Sequence, residues 1–292
     1  MPRGRPKGSK NKSTLIREGK WCPITDKPIL PEDPRPDSEL MADMESRFDV
    51  FERMMTGMVH GDVTSLIVSG APGVGKSYTA HQVLSRAQEE DNTFRFTMKS
   101  GTVTPVELYK LAYVYRHPKH VIVLDDSDGI MGGEDGLNVL KGLLDSGTKR
   151  VVSWLSNSSA LKVEGEETPK EFEYKGSIAF LTNKNFQTVI DGEIGRSNVE
   201  HMRALMSRSL YLDLKMHTRR EVSLWVRNII EKSDLLVHRG LPRELQNEAI
   251  EYLTKHRDDL REMSIRTVIK LGQIMLINPV NWETDARHML LK

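Results

Sequence analysis

The run Gly70-Ala71-Pro72-Gly73-Val74-Gly75-Lys76-Ser77 fits the spacing G-x-x-x-x-G-K-[ST], and each residue type in it has a use against phosphate. The glycines let backbone N–H groups close around an anion, Lys76 adds a point charge, and Ser77 offers a hydroxyl to a magnesium ion. Tyr78 follows directly and is counted with the loop as a nucleotide contact. A second run, Val121-Ile122-Val123-Leu124, ends in Asp125-Asp126. A carboxylate at the end of a buried strand can hold magnesium through its water shell, and its neighbour can orient an attacking water. On this reading Asp125 is a metal residue and Asp126 the water-orienting acid. Asp126 stands where a glutamate is usual in this chemistry and is one methylene shorter, so the water must sit closer to the strand. The residues therefore imply a nucleoside triphosphate site, with ATP and Mg2+ as the expected ligands. The alternative is a glycine-rich turn that merely needs small residues.

Such a loop works only between a strand and a helix. The sequence predicts strands near Ser65–Ser69, Phe94–Met98, His120–Asp125, Ile178–Thr182 and Leu210–Leu214. Helices are expected from Lys76, near Pro105–Tyr115, Leu137–Asp145 and Val199–Met206. This alternation predicts an α/β fold, a parallel sheet covered on both faces in three layers. Before it, Met41, Met44, Phe48, Phe51, Met54 and Met55 recur at helical spacing, as in an amphipathic helix packed on the core.

After about His217 there is no strand signal. Pro242 opens a helix with Leu245, Ala249, Tyr252 and Leu253 on one side. Ser264 is expected to cap another, striped by Ile265, Val268, Ile269, Gly272, Met275 and Leu276. The predicted organisation is a basic tail and linker over 1–38, a nucleotide-binding core over 39–216 and a small helical lid over 217–292.

Composition narrows the class. A 292-residue chain with 38% hydrophobic residues can bury a full core, and no apolar run approaches the roughly 18 residues that span a bilayer. No membrane partner and no secretory signal are expected. One cysteine, Cys22, rules out an internal disulfide and suits a reducing cytoplasm. The net charge of +1 hides an asymmetry, because Arg3, Arg5, Lys7, Lys10, Lys12, Arg17 and Lys20 stand against Glu18 alone. Pro23, Pro28, Pro31, Pro34 and Pro36 then read as a linker without helix or sheet.

The opening Arg3-Gly4-Arg5-Pro6-Lys7 resembles the AT-hook, a peptide whose arginines lie along the narrow minor groove of A/T-rich DNA. The alternative is a solvated tail that binds RNA or any polyanion.

Asp125-Asp126, Asn138-Val139-Leu140-Lys141, Phe180-Leu181-Thr182-Asn183 and Arg266-Thr267-Val268-Ile269-Lys270 together resemble an AAA+ P-loop ATPase common in tailed bacteriophage genomes. The resemblance covers about Glu39 to Lys292. It implies that Asn183 is sensor 1, positioning the attacking water, that Arg208 is an arginine finger acting on a neighbouring subunit, with Arg203 and Arg196 as rivals, and that Arg266 is sensor 2. It also implies a homo-oligomeric ring, a hexamer, with DNA or a replication protein as partner, in a bacterial host's cytoplasm.

Between Lys149 and Gly176, the runs Arg150–Leu155 and Glu171–Tyr174 can pair as a hairpin. That arrangement is similar to the superfamily 3 helicases, whose hairpins grip DNA; a strand pair covering the core is the other reading. ATP-switched binding and loader-type chaperoning remain open beside the motor. His117 and His120 have a spacing seen in metal sites but no acidic partner in register, and read as loop and strand-edge residues. An aromatic content of 6% is sparse for a base-stacking platform.

Overall fold

The computed structural model describes residues 21–22, 27–28, 33–145, 147, 149–154, 162–163, 166–186, 190, 196–216 and 218–292. Elements in chain order are α1 (Asp37–His60), β1 (Ser65–Ser69), α2 (Lys76–Glu90), β2 (Arg95–Ser100), α3 (Pro105–Val114), β3 (His120–Asp125) and α4 (Glu134–Leu143). They continue with β4 (Val151–Ser153), β5 (Glu171–Glu173), β6 (Ser177–Thr182), α5 (Arg196–Met206), β7 (Leu210–Asp213), α6 (Arg219–Ser233), α7 (Arg243–Lys255), α8 (Ile265–Ile277) and α9 (Trp282–Leu290).

Five strands form one parallel sheet in the order β7-β1-β6-β3-β2. Every residue of β1 and β6 is buried, as expected of inner parallel strands that cannot alternate with solvent. Ile67, Ile122, Leu124, Ile178 and Phe180 join one core with α3, α4 and α5. Their alternates Leu66, Val68, Val121, Val123, Ala179 and Leu181 are buried too, so both faces of the sheet are covered. The fold is mixed α/β with a parallel five-stranded sheet.

Local chemistry explains the helix starts. Thr104 caps α3 by accepting from Glu107 N at 3.2 Å, with Pro105 in the first turn. Thr218 and Glu221 cap α6 reciprocally, Thr218 Oγ1 accepting from Glu221 N and Glu221 Oε2 from Thr218 N.

Contacts divide the chain into two compact units. One comprises Ala42–Lys215 with Ser264–Arg266. The other comprises the described residues through Met41, those of Met216–Met263, and Thr267–Lys292. In the latter, Tyr252 meets Trp282 edge-on at 5.2 Å and Leu260 bridges Leu291. Arg220 there donates to Asp37 and to the Asp33 carbonyl. Among the described residues no helix is long and apolar enough to cross a membrane.

Several sequence expectations need correction. The proline-rich stretch holds a two-residue antiparallel ladder, Trp21–Cys22 with Lys27–Pro28; so short a ladder asks few donors of a proline. Helices α6 and α9 were not expected, and α4 starts earlier, at Glu134. Leu276, expected in the apolar stripe of α8, is exposed.

The hairpin between α4 and β6 has a defined base. β4 pairs antiparallel with β5, Val152 opposite Phe172, and both side chains are buried with Tyr109 and Tyr174 in the main core. Buried Arg150 donates to the carbonyls of Leu143 and Gly176, tying the end of α4 to the exit of β5. This part is a strand pair covering the core. Between β4 and β5, Lys162–Val163 pairs with Glu166–Glu167.

Candidate functional site

Register sets the site. Thr182 lies opposite Ser69 and Leu181 opposite Asp125, so Gly70, Asn183 and Asp126 leave the sheet side by side. Gly70 N donates to Thr182 O at 3.2 Å, and Ser69 Oγ donates to Lys184 O at 2.8 Å. The loop from Gly70 to Ser77 then turns through positive φ at Gly73 (67°) and Gly75 (107°), where any side chain would be strained. Gly75 caps α2 without a side-chain bond, which leaves first-turn N–H groups open to an anion. Val74 anchors the loop in the core, whereas Ala71 and Pro72 line its outer side and Tyr78 is 70% exposed.

Lys76 is buried, and its ammonium has three acceptors: Gly70 O at 2.9 Å, Ala71 O at 2.8 Å and Asn183 Oδ1 at 2.8 Å. Asn183 Nδ2 donates in turn to Asp126 Oδ1 at 2.7 Å. One amide therefore wires the loop lysine to the acid. Burial pushes Lys76 down to about 8, with Asp126 and Asp125 opposing and Arg266 adding to the shift. Asp126 sits at φ 50°, left-handed and sparsely populated for a non-glycine residue. Its N–H donates to Leu181 O at 3.0 Å, holding the strained turn against β6.

Asp125 is half-buried, and desolvation raises its pKa while a bond from the Ser77 hydroxyl lowers it. Its Oδ1 is buried with no hydrogen-bond partner, an arrangement that costs about 1–3 kcal/mol unless something binds there. An orphaned carboxylate oxygen beside a serine hydroxyl is the donor set a hard, oxygen-seeking cation takes. Asp125 and Ser77 therefore fit magnesium. No group of three acidic, histidine or cysteine side chains forms a separate metal cage among the described residues.

One feature was missed by sequence reasoning. Thr182 Oγ1 donates to Asp128 Oδ1 at 2.8 Å and accepts from Lys184 N at 3.0 Å, while Lys184 Nζ lies 3.4 Å from Asp128 Oδ2. This clasp braces the turn that carries Asn183. The only signal for it was a third aspartate, Asp128, just past the acid pair.

Arg266 reaches the same place. Ile265 N donates to Gly73 O at 2.9 Å, and the Arg266 charge acts on both Lys76 and Asp125. Arg208 does not join this cluster within one chain. Its carbonyl accepts from Ser65 Oγ at 2.9 Å, at the opposite end of β1, and its guanidinium donates to Ala204 O. Arg203 is exposed; the Arg196 side chain and the tail residues Arg3, Gly4, Arg5, Pro6 and Lys7 lie outside the described residues.

A parallel sheet with a glycine loop between its β1 and α2, and an acid pair at the end of β3, separated from β1 by β6, defines a P-loop α/β protein. Within that class the chain belongs to the family of an uncharacterized 36.7 kDa protein encoded in the nrdC-mobD intergenic region of Enterobacteria phage T4. The two are 34% identical over 243 residues, covering 83% of this chain and 73% of the phage protein. No protein-family model matches the chain. Among solved structures it is similar to domain III of the Thermotoga maritima replication initiation protein DnaA, at 15% identity and TM-score 0.45 over 82% of this chain and 85% of that one. It is also similar to the Aeropyrum pernix ORC1 protein in complex with DNA, at 13% identity and TM-score 0.46 over 80% of this chain and 60% of that one.

Proposed function

We propose that this protein is a magnesium-dependent ATPase of the AAA+ type that works as a homo-oligomeric ring, a hexamer, on DNA or a DNA-bound complex. The observation that carries the reading is the wire from Lys76 through Asn183 to Asp126, beside the orphaned oxygen of Asp125. The glycine loop and the first turn of α2 bind the phosphates, and Lys76 and Arg266 supply positive charge to them. Asn183, at the end of β6, holds Asp126 just past the end of β3, where the other carboxylate oxygen can accept a bond from the attacking water and orient it. Magnesium, when bound, would neutralise phosphate charge next to Ser77 and Asp125.

Arg208 cannot serve its own site. β1 alone puts roughly 13 Å between Ser65 and Ser69, which favours action on a neighbour's nucleotide. Mixing Arg208→Ala with Lys76→Ala subunits should restore part of the turnover each lacks; mixed rings that stay inactive would remove Arg208 from that role.

The tail from Arg3 to Lys7 is the proposed DNA tether, and 217–292 the proposed lid. Phosphate release should rise when A/T-rich duplex or single strand is added. A second reading is favoured by the strained, amide-bound Asp126, which suits an ATP-controlled binding switch. Nucleotide-dependent DNA binding with negligible hydrolysis would select that switch over the motor.

A further inference from the structure

The other end of the sheet, where the strands begin, gathers a second set of groups. Register puts Arg95 beside His120, and Arg95 N donates to Lys119 O at 3.1 Å. Lys175 N donates to Arg116 O at 2.7 Å, which brings the exit of the hairpin onto the same segment. Arg95, Arg116, Lys119 and Lys175 are thus neighbours, and Arg95, His117, Lys119 and Lys175 are exposed.

Two carboxylates answer these four permanent cations: Asp91 pairs with Lys119 at 2.8 Å and Glu173 with Lys175 at 3.1 Å, both pairs open to solvent. Exposed pairs of this kind hold little energy. Among the described residues neither Arg95 nor Arg116 has a carboxylate partner. Burial lowers the pKa of His120, with His117, Arg95 and Arg116 adding to it, as expected where positive charge is crowded.

Rings are interleaved with the charges. Over residues 113–120 the order is Tyr113, Tyr115, Arg116, His117, Lys119 and His120. The imidazoles of His117 and His120 meet edge-on at 5.6 Å, Tyr115 lies 5.7 Å from His120, and the Arg116 guanidinium sits 4.0 Å over Tyr113.

We propose that this strand-start face, built on Arg95, Arg116, His117, Lys119, His120 and Lys175, binds single-stranded nucleic acid. The cations track phosphates, and the exposed imidazole of His117 offers a face to a base. An acidic peptide would use the charges and leave the rings idle. The face stands apart from the nucleotide loop, so its occupation does not depend on ATP turnover.

The test uses the full chain with Arg3→Ala, Arg5→Ala and Lys7→Ala, which silences the tail, and the fluorescence anisotropy of a labelled oligo-dT strand over a range of salt. This background should still bind. Adding Arg95→Gln, His117→Gln and Lys119→Gln should weaken binding about tenfold near 0.1 M salt and flatten the log–log salt slope by about 1.4, two cations' worth. Melting temperature and ATP affinity should stay unchanged. If that variant does not fold, Lys119→Gln with Lys175→Gln, both on exposed side chains, carries the same slope test. Loss of binding in the background, an unchanged slope in the variants, or equal affinity for duplex or polyglutamate would each overturn the proposal.

Discussion

The two ends of one parallel sheet are built differently. Where β1, β3 and β6 finish, a single buried ammonium is held by Gly70 O, Ala71 O and Asn183 Oδ1 and feels the charges of Asp126, Asp125 and Asp128. Where the strands start, Arg95, Lys119 and Lys175 are exposed, and among the described residues Arg95 and Arg116 have no carboxylate partner. Buried apolar strands leave only their ends for polar groups, so both chemistries sit in turns. The difference is one of preorganisation. A wired, desolvated cluster suits a compact anion whose position must be fixed, whereas a loose basic surface suits an extended polyanion bound through many weak contacts.

The largest effect should come from removing the charge at the wired end. Lys76→Ala should cost about 3 kcal/mol of ATP affinity, a hundredfold or more, measured by calorimetric titration. If affinity survives, the loop is not the phosphate site and the contrast between the ends collapses. Cutting the wire comes next. Asn183→Ala should lower kcat about a hundredfold and shift the dissociation constant far less, since it frees Asp126 while the loop stays intact. An equal loss in both quantities would mean that Asn183 simply holds the loop together.

A smaller effect follows from pH. Because Lys76 is pushed down to about 8, it loses its proton as pH rises through that value, and ATP affinity should fall by up to about tenfold between pH 7 and 9. The stability contribution has the opposite sign. Between about 8 and the ordinary 10.5 the unfolded chain holds the proton that the native site has lost, so the Lys76 contribution rises with pH. Flat ATP affinity across pH 8 would show that Lys76 keeps its charge.

Much of this was legible in the sequence because the strongest signals were local. β1, β3 and β6 are continuous apolar runs that end in Ser69, Asp125 and Thr182, and the runs around Arg150–Leu155 and Glu171–Tyr174 were readable as a hairpin, though not in register. Other features needed tertiary structure. The clasp of Asp128 with Thr182 exists only because β3 lies beside β6, and Arg95 meets His120 only through the register of β2 on β3. The left-handed turn at Asp126 carried no residue signal, since aspartate occupies many conformations. Helix α6 was legible and overlooked, because Thr218-x-x-Glu221 is a capping box.

The wire from Lys76 to Asp126 is the central claim, and phosphate release by Asp126→Asn tests it most directly. With ATP and magnesium saturating, turnover should fall about a hundredfold or more while nucleotide stays bound, because the amide cannot orient water as the carboxylate does. Undiminished turnover in that variant would contradict the account.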